Sequence, residues 1–235
     1  AAYSSRLQDE HGHGTHIAGI VKSLAPNVKL MVLKYYDAKA AGTNNLKNTI
    51  DAIRYAAKMK ADIINYSGGG SDRSSLEFAA LKEAQEKGVL VVAAAGNEKS
   101  NTDERGFFPA SYDLSNIISV TAIDPKTRVL ASSNFGRKSV DIAAPGQDIY
   151  STMPGGQYGY MTGTSQATAF VSGAAALVYS RSAVKPSFQD VRRALEQTGD
   201  LASTLKSKTH YGSQLNSYRA LAIRGENLNA FDIGE

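Results

Sequence analysis

The 235-residue chain has no cysteine, which excludes a disulfide scaffold, a thiolate zinc site and a cysteine nucleophile together. Long hydrophobic runs are missing as well. The longest, residues 89–95 (VLVVAAA), is far too short to span a bilayer, so no membrane partner is expected. Charge of one sign is also scarce. The net charge is +4, distributed as +5 over residues 1–60, −3 over 61–180 and +2 over 181–235. No segment is basic enough to argue for nucleic acid. Residues 1–10 carry no signal-peptide pattern, and the chain shows no internal repeat, low-complexity segment or linker-like stretch. What remains is a chain long enough to bury about 70–75% of its unfolded surface without a staple. It reads as a single domain over residues 1–235.

Short apolar runs alternate with longer amphipathic ones. Residues 29–35 (KLMVLKY), 61–66 (ADIINY), 89–94 (VLVVAA) and 117–122 (IISVTA) have the length and Val/Ile content of buried strands. Residues 46–60 place Ile50, Ile53 and Ala57 on one helical face. Residues 76–87 do the same with Leu76, Ala80, Leu81 and Ala84, and Gly88 supplies a C-terminal stop. This alternation predicts an α/β fold, a parallel sheet with right-handed crossovers and helices on both faces. Gly/Ser-rich loops at 67–71, 96–101 and 155–163 follow strands or precede helices. In an open parallel sheet the functional crevice lies at the carboxyl ends of the strands, so chemistry is expected in these loops.

Three segments stand out. In residues 11–19 (HGHGTHIAG), three of the chain's four histidines fall within six positions, flanked by glycines that permit close backbone approach. The spacing His11-x-His13-x-x-His16 also resembles the ligand string of binuclear metal hydrolases. That string wants an Asp where Thr15 stands, and no second cluster completes a shell. Residues 163–167 (GTSQA) open a helix rich in small residues. Ser165 there is either an N-cap or a nucleophile whose own amide, at the positive helix end, faces a developing oxyanion. Asn97, in residues 93–98 (AAAGNE), is either a turn former or a side-chain donor to an oxyanion.

Taken in order, these segments resemble the subtilisin-like serine proteases (subtilases), and the likeness extends over nearly the whole chain. The family's His-Gly-Thr-His-Val-Ala-Gly motif falls on His13 to Gly19, with Ile17 for Val. Its Ala-Ala-Gly-Asn motif falls on Ala94 to Asn97, and its Gly-Thr-Ser-Met-Ala motif on Gly163 to Ala167, with Gln166 for Met. Smaller echoes lie at residues 64–70, 108–110, 144–146 and 211–220. The resemblance implies a three-layer α/β fold and peptide-bond hydrolysis. Ser165 is the implied nucleophile and His13 the base that returns its proton to the leaving amine. Asn97 and the Ser165 amide are the implied oxyanion donors, and His16 is expected to be structural. Ser67, Gly68, Gly69, Ala95 and Gly96 match the walls of the pocket for the substrate residue before the scissile bond (P1). An extended peptide or protein substrate would pair with such edges, and residues 42–44 are expected to form the other edge. Phe107 aligns with the bottom of that pocket, where many members keep a small residue, which predicts a preference for small side chains. Gly68 stands for a common Leu and predicts a more open wall. Secretion is expected by family habit.

The largest departure concerns the third member of the Asp-His-Ser triad. Only Asp9 precedes His13, in a polar lead-in with no apolar strand to carry it. Asp37 follows the His and breaks the family order. The expectation is that the triad Asp and its strand belong to a segment outside this chain, an N-terminal fragment or prodomain-bearing precursor being the expected partner. Loss of the Asp alone costs such a triad about 3 × 10⁴ in turnover, so this chain by itself is expected to be weak or inactive. The alternative is a catalytically silent subtilase-fold pseudoprotease with a binding role. No cofactor is required. The span 20–28 is too short for the calcium loop that many relatives insert there, which leaves structural calcium only at a site the sequence does not identify.

Overall fold

The computed structural model describes residues 9–36, 42–181 and 184–222. Asp37 lies outside the described residues. Four parallel strands form the centre of the sheet: β1 (Ile63–Tyr66), β2 (Leu90–Ala94), β3 (Ile117–Ile123) and β4 (Ile142–Pro145). An antiparallel hairpin, β5 (Ile149–Met153) with β6 (Gln157–Met161), stands apart from it. The two-residue strands β7 (Asp200–Leu201) and β8 (Ser213–Gln214) complete a six-stranded order, β1-β2-β3-β4-β8-β7.

Every residue of β2 and β3 is buried, which accounts for their unbroken apolar character. Alternate side chains go to opposite layers. Val91 and Ala93 pack with Ile50, Ile53 and Ala57 of α2 (Gly42–Lys58) and with Ala80, Leu81 and Ala84 of α3 (Ser75–Glu86). Leu90 and Val92 face Ala167, Val171 and Ala175 of α4 (Thr164–Arg181) and Val191 and Leu195 of α5 (Phe188–Gln197). The result is the three-layer arrangement with helices on both faces. The mostly small side chains of α4 let it sit buried on almost all sides. Local signals set the helix ends. Ser74 caps α3 by accepting the Glu77 amide, and Ser187 and Asp190 form a reciprocal capping box on α5. A last helix, α6 (Ser217–Ala222), packs against α4 and α5.

Helix α1 (His13–Leu24) runs beside α4. Ala169 shares one buried cluster with Ile17, Ile20 and Val21, and Gly173 lies against Val21 and Leu24. Four residues further along one helix therefore meet about four further along the other, so the two are parallel. Carried back one turn, the same register brings Ser165 beside the first turn of α1. The hairpin fastens α1 from its other side. Ser151 Oγ donates to the His16 carbonyl (2.8 Å), and Thr152 Oγ1 donates to the Thr15 carbonyl (2.9 Å). Gly19 permits this approach, because a Cβ there would lie 2.3 Å from both hydroxyls.

Two expectations need correction. Residues 29–35 do not form a strand. Their apolar pattern is real, but a strand needs a ladder partner as well as a face, and the outer edge of β1 has none among the described residues. Leu30, Met31 and Val32 are left 44%, 43% and 68% exposed. Residues 42–44 are not an extended edge either. They lie in the first turn of α2, where backbone groups run along the helix axis and cannot pair with a peptide.

Candidate active site

The site is assembled at the carboxyl ends of β1 and β2, where the amino ends of α1 and α4 arrive. Gly12 enters α1 in the left-handed region (φ 89°) and provides no side-chain cap. Asp9 does that work. Its Oδ1 accepts the amides of His11 (3.0 Å) and Gly12 (2.9 Å), and its Oδ2 accepts the amide (2.9 Å) and hydroxyl (2.7 Å) of Thr15. Burial opposes its ionisation, but these hydrogen bonds prevail and hold its pKa well below the usual carboxylate range. Asp9 therefore belongs to the helix cap, and both of its oxygens are committed there.

His13 is half-buried on the first turn. Burial lowers its pKa, the neighbouring His11 and His16 lower it further, and Asp9 partly opposes them. The ring is thus kept neutral, as a proton acceptor must be. No hydrogen bond to the His13 ring is found among the described residues. His16 behaves differently. It is fully buried, and its Nε2 bonds to the carbonyls of Ile149 (2.9 Å) and Gly159 (3.3 Å), fixing the hairpin to α1. That nitrogen is turned to carbonyls, while Nδ1 is buried with no hydrogen-bond partner among the described residues. Among the described residues no three His, Asp or Glu side chains cluster to hold a metal ion.

Ser165 lies in the first turn of α4, where amides have no carbonyl one turn earlier within the helix. Its Oγ donates to the Ser67 carbonyl (3.2 Å), and Ser67 Oγ donates back to the Ser165 carbonyl (3.1 Å). A half-buried polar chain continues behind this pair. Asn65 Nδ2 donates to Ser67 Oγ (2.9 Å), and Ser172 Oγ donates to Asn65 Oδ1 (2.9 Å). Asn97 is exposed in the loop after β2. Its Oδ1 accepts the amide (3.0 Å) and hydroxyl (3.2 Å) of Thr164. That bond sets the orientation of the carboxamide: the oxygen faces Thr164 at the start of α4, and the NH2 group has no hydrogen-bond partner among the described residues. The Asn97 carboxamide packs at ordinary contact distance over Gly163, 3.5 Å from its Cβ position.

Phe107 lies between two glycine backbones. A Cβ on Gly69 would meet its ring at 2.5 Å, and one on Gly96 (φ 101°) would meet it at 2.9 Å. The structure thus brings Gly69, Gly96 and Phe107 together, with Ala95 buried beneath and Ser67 bonded to Ser165. The wall at Gly68 is not open as expected. The space a side chain would take there is filled by the Tyr35 hydroxyl, 2.5 Å from the Cβ position. Burial, then neighbouring Tyr36, raises the Tyr35 pKa, so it stays a neutral phenol. Tyr35 arrives from a distant part of the chain, and no local pattern marks it. The Asn65–Ser172 bond was equally invisible, because the two are brought together only by α4 crossing β1.

Comparison with known proteins follows the same line. Residues 2–216 match the subtilase family. A thermophilic serine proteinase of Bacillus sp. (strain AK1) is 40% identical over 223 residues, which is 91% of this chain and 53% of that protein. Subtilisin DY of Bacillus licheniformis is 35% identical over 224 residues, 91% of this chain and 78% of the relative. The major intracellular serine protease of Bacillus subtilis (strain 168) is 39% identical over 187 residues, 74% of this chain and 57% of the relative. The chain thus spans about half the length of the first of these. Among solved structures, an epidermin leader peptide processing serine protease from Staphylococcus aureus superposes with a TM-score of 0.81 at 27% identity, covering 98% of this chain and 66% of that one. A lanthipeptide protease gives 0.78 at 25% identity, covering 91% and 76%.

Proposed function

This chain belongs to the subtilase family, and from that premise we propose that it is the peptidase domain of a serine endopeptidase acting on extended peptide or protein substrates. Ser165 attacks the scissile carbonyl, and His13 takes its proton and delivers it to the leaving amine. The Asn97 NH2 group and the Ser165 amide stabilise the oxyanion. The observation that carries this reading is the anchored Asn97 carboxamide, whose oxygen is held by Thr164 so that its donor end is left free next to the nucleophile. A turn-forming asparagine has no need of that bond.

The triad Asp comes, in this reading, from a segment outside the chain, an N-terminal fragment or the precursor itself. Three observations support it. Among the described residues no carboxylate bonds the His13 ring, Asp9 is spent on the α1 cap, and β1 has no strand on its outer edge while Leu30, Met31 and Val32 stand exposed. A strand added at that edge, parallel to β1, would end at the level of Ser67. With the ring of Phe107 between Gly69 and Gly96, the P1 pocket is shallow and suits small side chains. Its place of work is outside the cell in this reading, on family habit. The intracellular relative makes fractionation of the producing cells the deciding measurement, with the protein recovered from the cytoplasm as the result against secretion. Among the described residues, no helix is long and apolar enough to cross a membrane.

A fluorophosphonate serine probe tests the proposal on this chain, on the full-length precursor and on Ser165→Ala. Labelling of the precursor, or of a two-fragment complex, that is lost in Ser165→Ala is the expected result. Labelling of no form at Ser165 would leave a silent pseudoprotease and overturn the proposal.

A further inference from the structure

Asn97 occupies a turn held by the loop 132–135, through the backbone bonds Lys99 N–H to Ser132 carbonyl (3.1 Å) and Phe135 N–H to Ser100 carbonyl (3.0 Å) and through one buried side chain. Asn134 is 1% exposed. Its Oδ1 accepts the amides of Glu98 (2.9 Å) and Ser100 (2.9 Å). Its Nδ2 donates to the Ala95 carbonyl (2.8 Å) and to a Glu98 carboxylate oxygen (2.6 Å). The Asn134 backbone amide donates to the Gly96 carbonyl (2.9 Å). Both donors and both acceptors of the carboxamide are therefore used, the full capacity of an asparagine. All five bonds go to residues 95, 96, 98 and 100, on both sides of Asn97.

The residue is itself held in place. Thr121 Oγ1, in the middle of β3, donates to the Asn134 carbonyl (2.6 Å). Gly96 fits the clamp at its narrowest point, because a Cβ there would come 2.5 Å from Asn134 Nδ2. Asn97, by contrast, is exposed and bonded only through its own side-chain oxygen to Thr164. The turn is thus fixed from beneath by Asn134 and from the side by α4, and only the first of these restrains its backbone.

We propose that Asn134 is a positioning residue for the reaction, presenting the Asn97 donor at the oxyanion through its hydrogen bonds to residues 95–100. The proposal rests on the protease reading given above. Deleting one oxyanion donor costs about 10²–10³ in turnover, and a loosened donor loses part of that. In the full-length protein, Asn134→Ala is expected to lower kcat about 10- to 100-fold, with KM changed less than about threefold, since the defect is felt by the charge that develops after binding. In an Asn97→Ala background the same substitution should lower kcat no more than about twofold further, because it acts through a group already gone. A purely structural role would give equal losses in both backgrounds and would overturn the proposal. So would wild-type kcat in Asn134→Ala.

If Asn134→Ala does not fold, Thr121→Val removes only the bond that seats the Asn134 carbonyl and is read by the same cycle. Hydrogen exchange at the Glu98 and Ser100 amides gives a readout independent of activity. Exchange at least about tenfold faster in the variant, with β3 amides unchanged, supports the clamp, and unchanged exchange overturns it. If wild type and Ser165→Ala hydrolyse peptides equally poorly, the protease reading has failed, and the exchange arm alone then decides whether Asn134 holds the turn.

Discussion

Replacing Phe107 by alanine should turn the substrate preference of the protein around. The ring lies between the Gly69 and Gly96 backbones and is 9% exposed, so in the proposed reading it fills the floor that a substrate side chain would reach. Removing it frees the volume of one aromatic ring in a slot whose two walls carry no side chains. A substrate phenylalanine seated there would gain about 1.5–3 kcal/mol of burial, or roughly 10- to 150-fold in kcat/KM. A substrate alanine has nothing to fill the space and gains nothing. The assay is kcat/KM in the full-length protein for matched peptides differing only in alanine or phenylalanine at P1. Wild type should favour alanine and Phe107→Ala should favour phenylalanine. Phe107→Leu should fall between them. Truncating a buried phenylalanine also costs about 3–5 kcal/mol of stability, so kinetics belong well below the Tm of the variant. Wild type preferring phenylalanine or leucine would refute the reasoning, as would a variant whose ratio does not move.

Burial, then the charge of Asp141, pushes Glu196 up to about 7 against the pull of Arg192, which bonds both carboxylates at 2.6 and 2.9 Å. The folded protein thus keeps a proton that the unfolded chain releases above about 4.5. Stability contributed by this group should therefore fall as pH rises from about 4.5 to about 7. Thermal melts of wild type and Glu196→Gln across that window check this, and an unchanged slope in the variant would refute it. Ser187→Ala breaks the capping box of α5 and should cost about 1 kcal/mol, a drop of about 2–4 °C in Tm. A melt unchanged within error would mean the box contributes nothing. Asp9→Ala should lower Tm similarly while leaving the rate of fluorophosphonate labelling at Ser165 within about threefold, a barrier change below 1 kcal/mol. A collapse in labelling toward the 10⁴-fold loss of a missing triad Asp would make Asp9 the triad member after all.

What the sequence could disclose was whatever a residue's own neighbours determine. β2 was legible because every side chain in it is buried and the run is apolar without interruption. The first turn of α4 was legible because glycine, threonine and serine there are followed by small residues that only close helix packing requires. The segment 29–35 has the same apolar signature as β2, yet strand formation depends on what lies alongside, and that is not written in the segment. The wall at Gly68 failed in the same way. A missing side chain reads as open space unless the residue that fills it is known, and Tyr35 lies 33 positions earlier. Asn134 shows the limit most clearly. Its sequence surroundings are an ordinary polar loop, and its role consists of four side-chain bonds to residues 34 to 39 positions away.

Gln166 follows the nucleophile and is 2% exposed, its Oε1 3.3 Å from the Cβ position of Gly163. With no cysteine in the chain, only methionine brings sulfur, and residues 163–167 contain none. Peroxide converts a thioether to a bulkier, polar sulfoxide but leaves a carboxamide untouched. The turn that carries Ser165 is therefore chemically inert to such oxidants. Thioethers flank the site instead: Met153, whose Cε lies 3.0 Å from the Cβ position of Gly12 just ahead of His13, and Met161, which ends β6 two residues before Gly163. Sulfur oxidation around the site is thus a matter of the hairpin, which carries one methionine at the end of each strand.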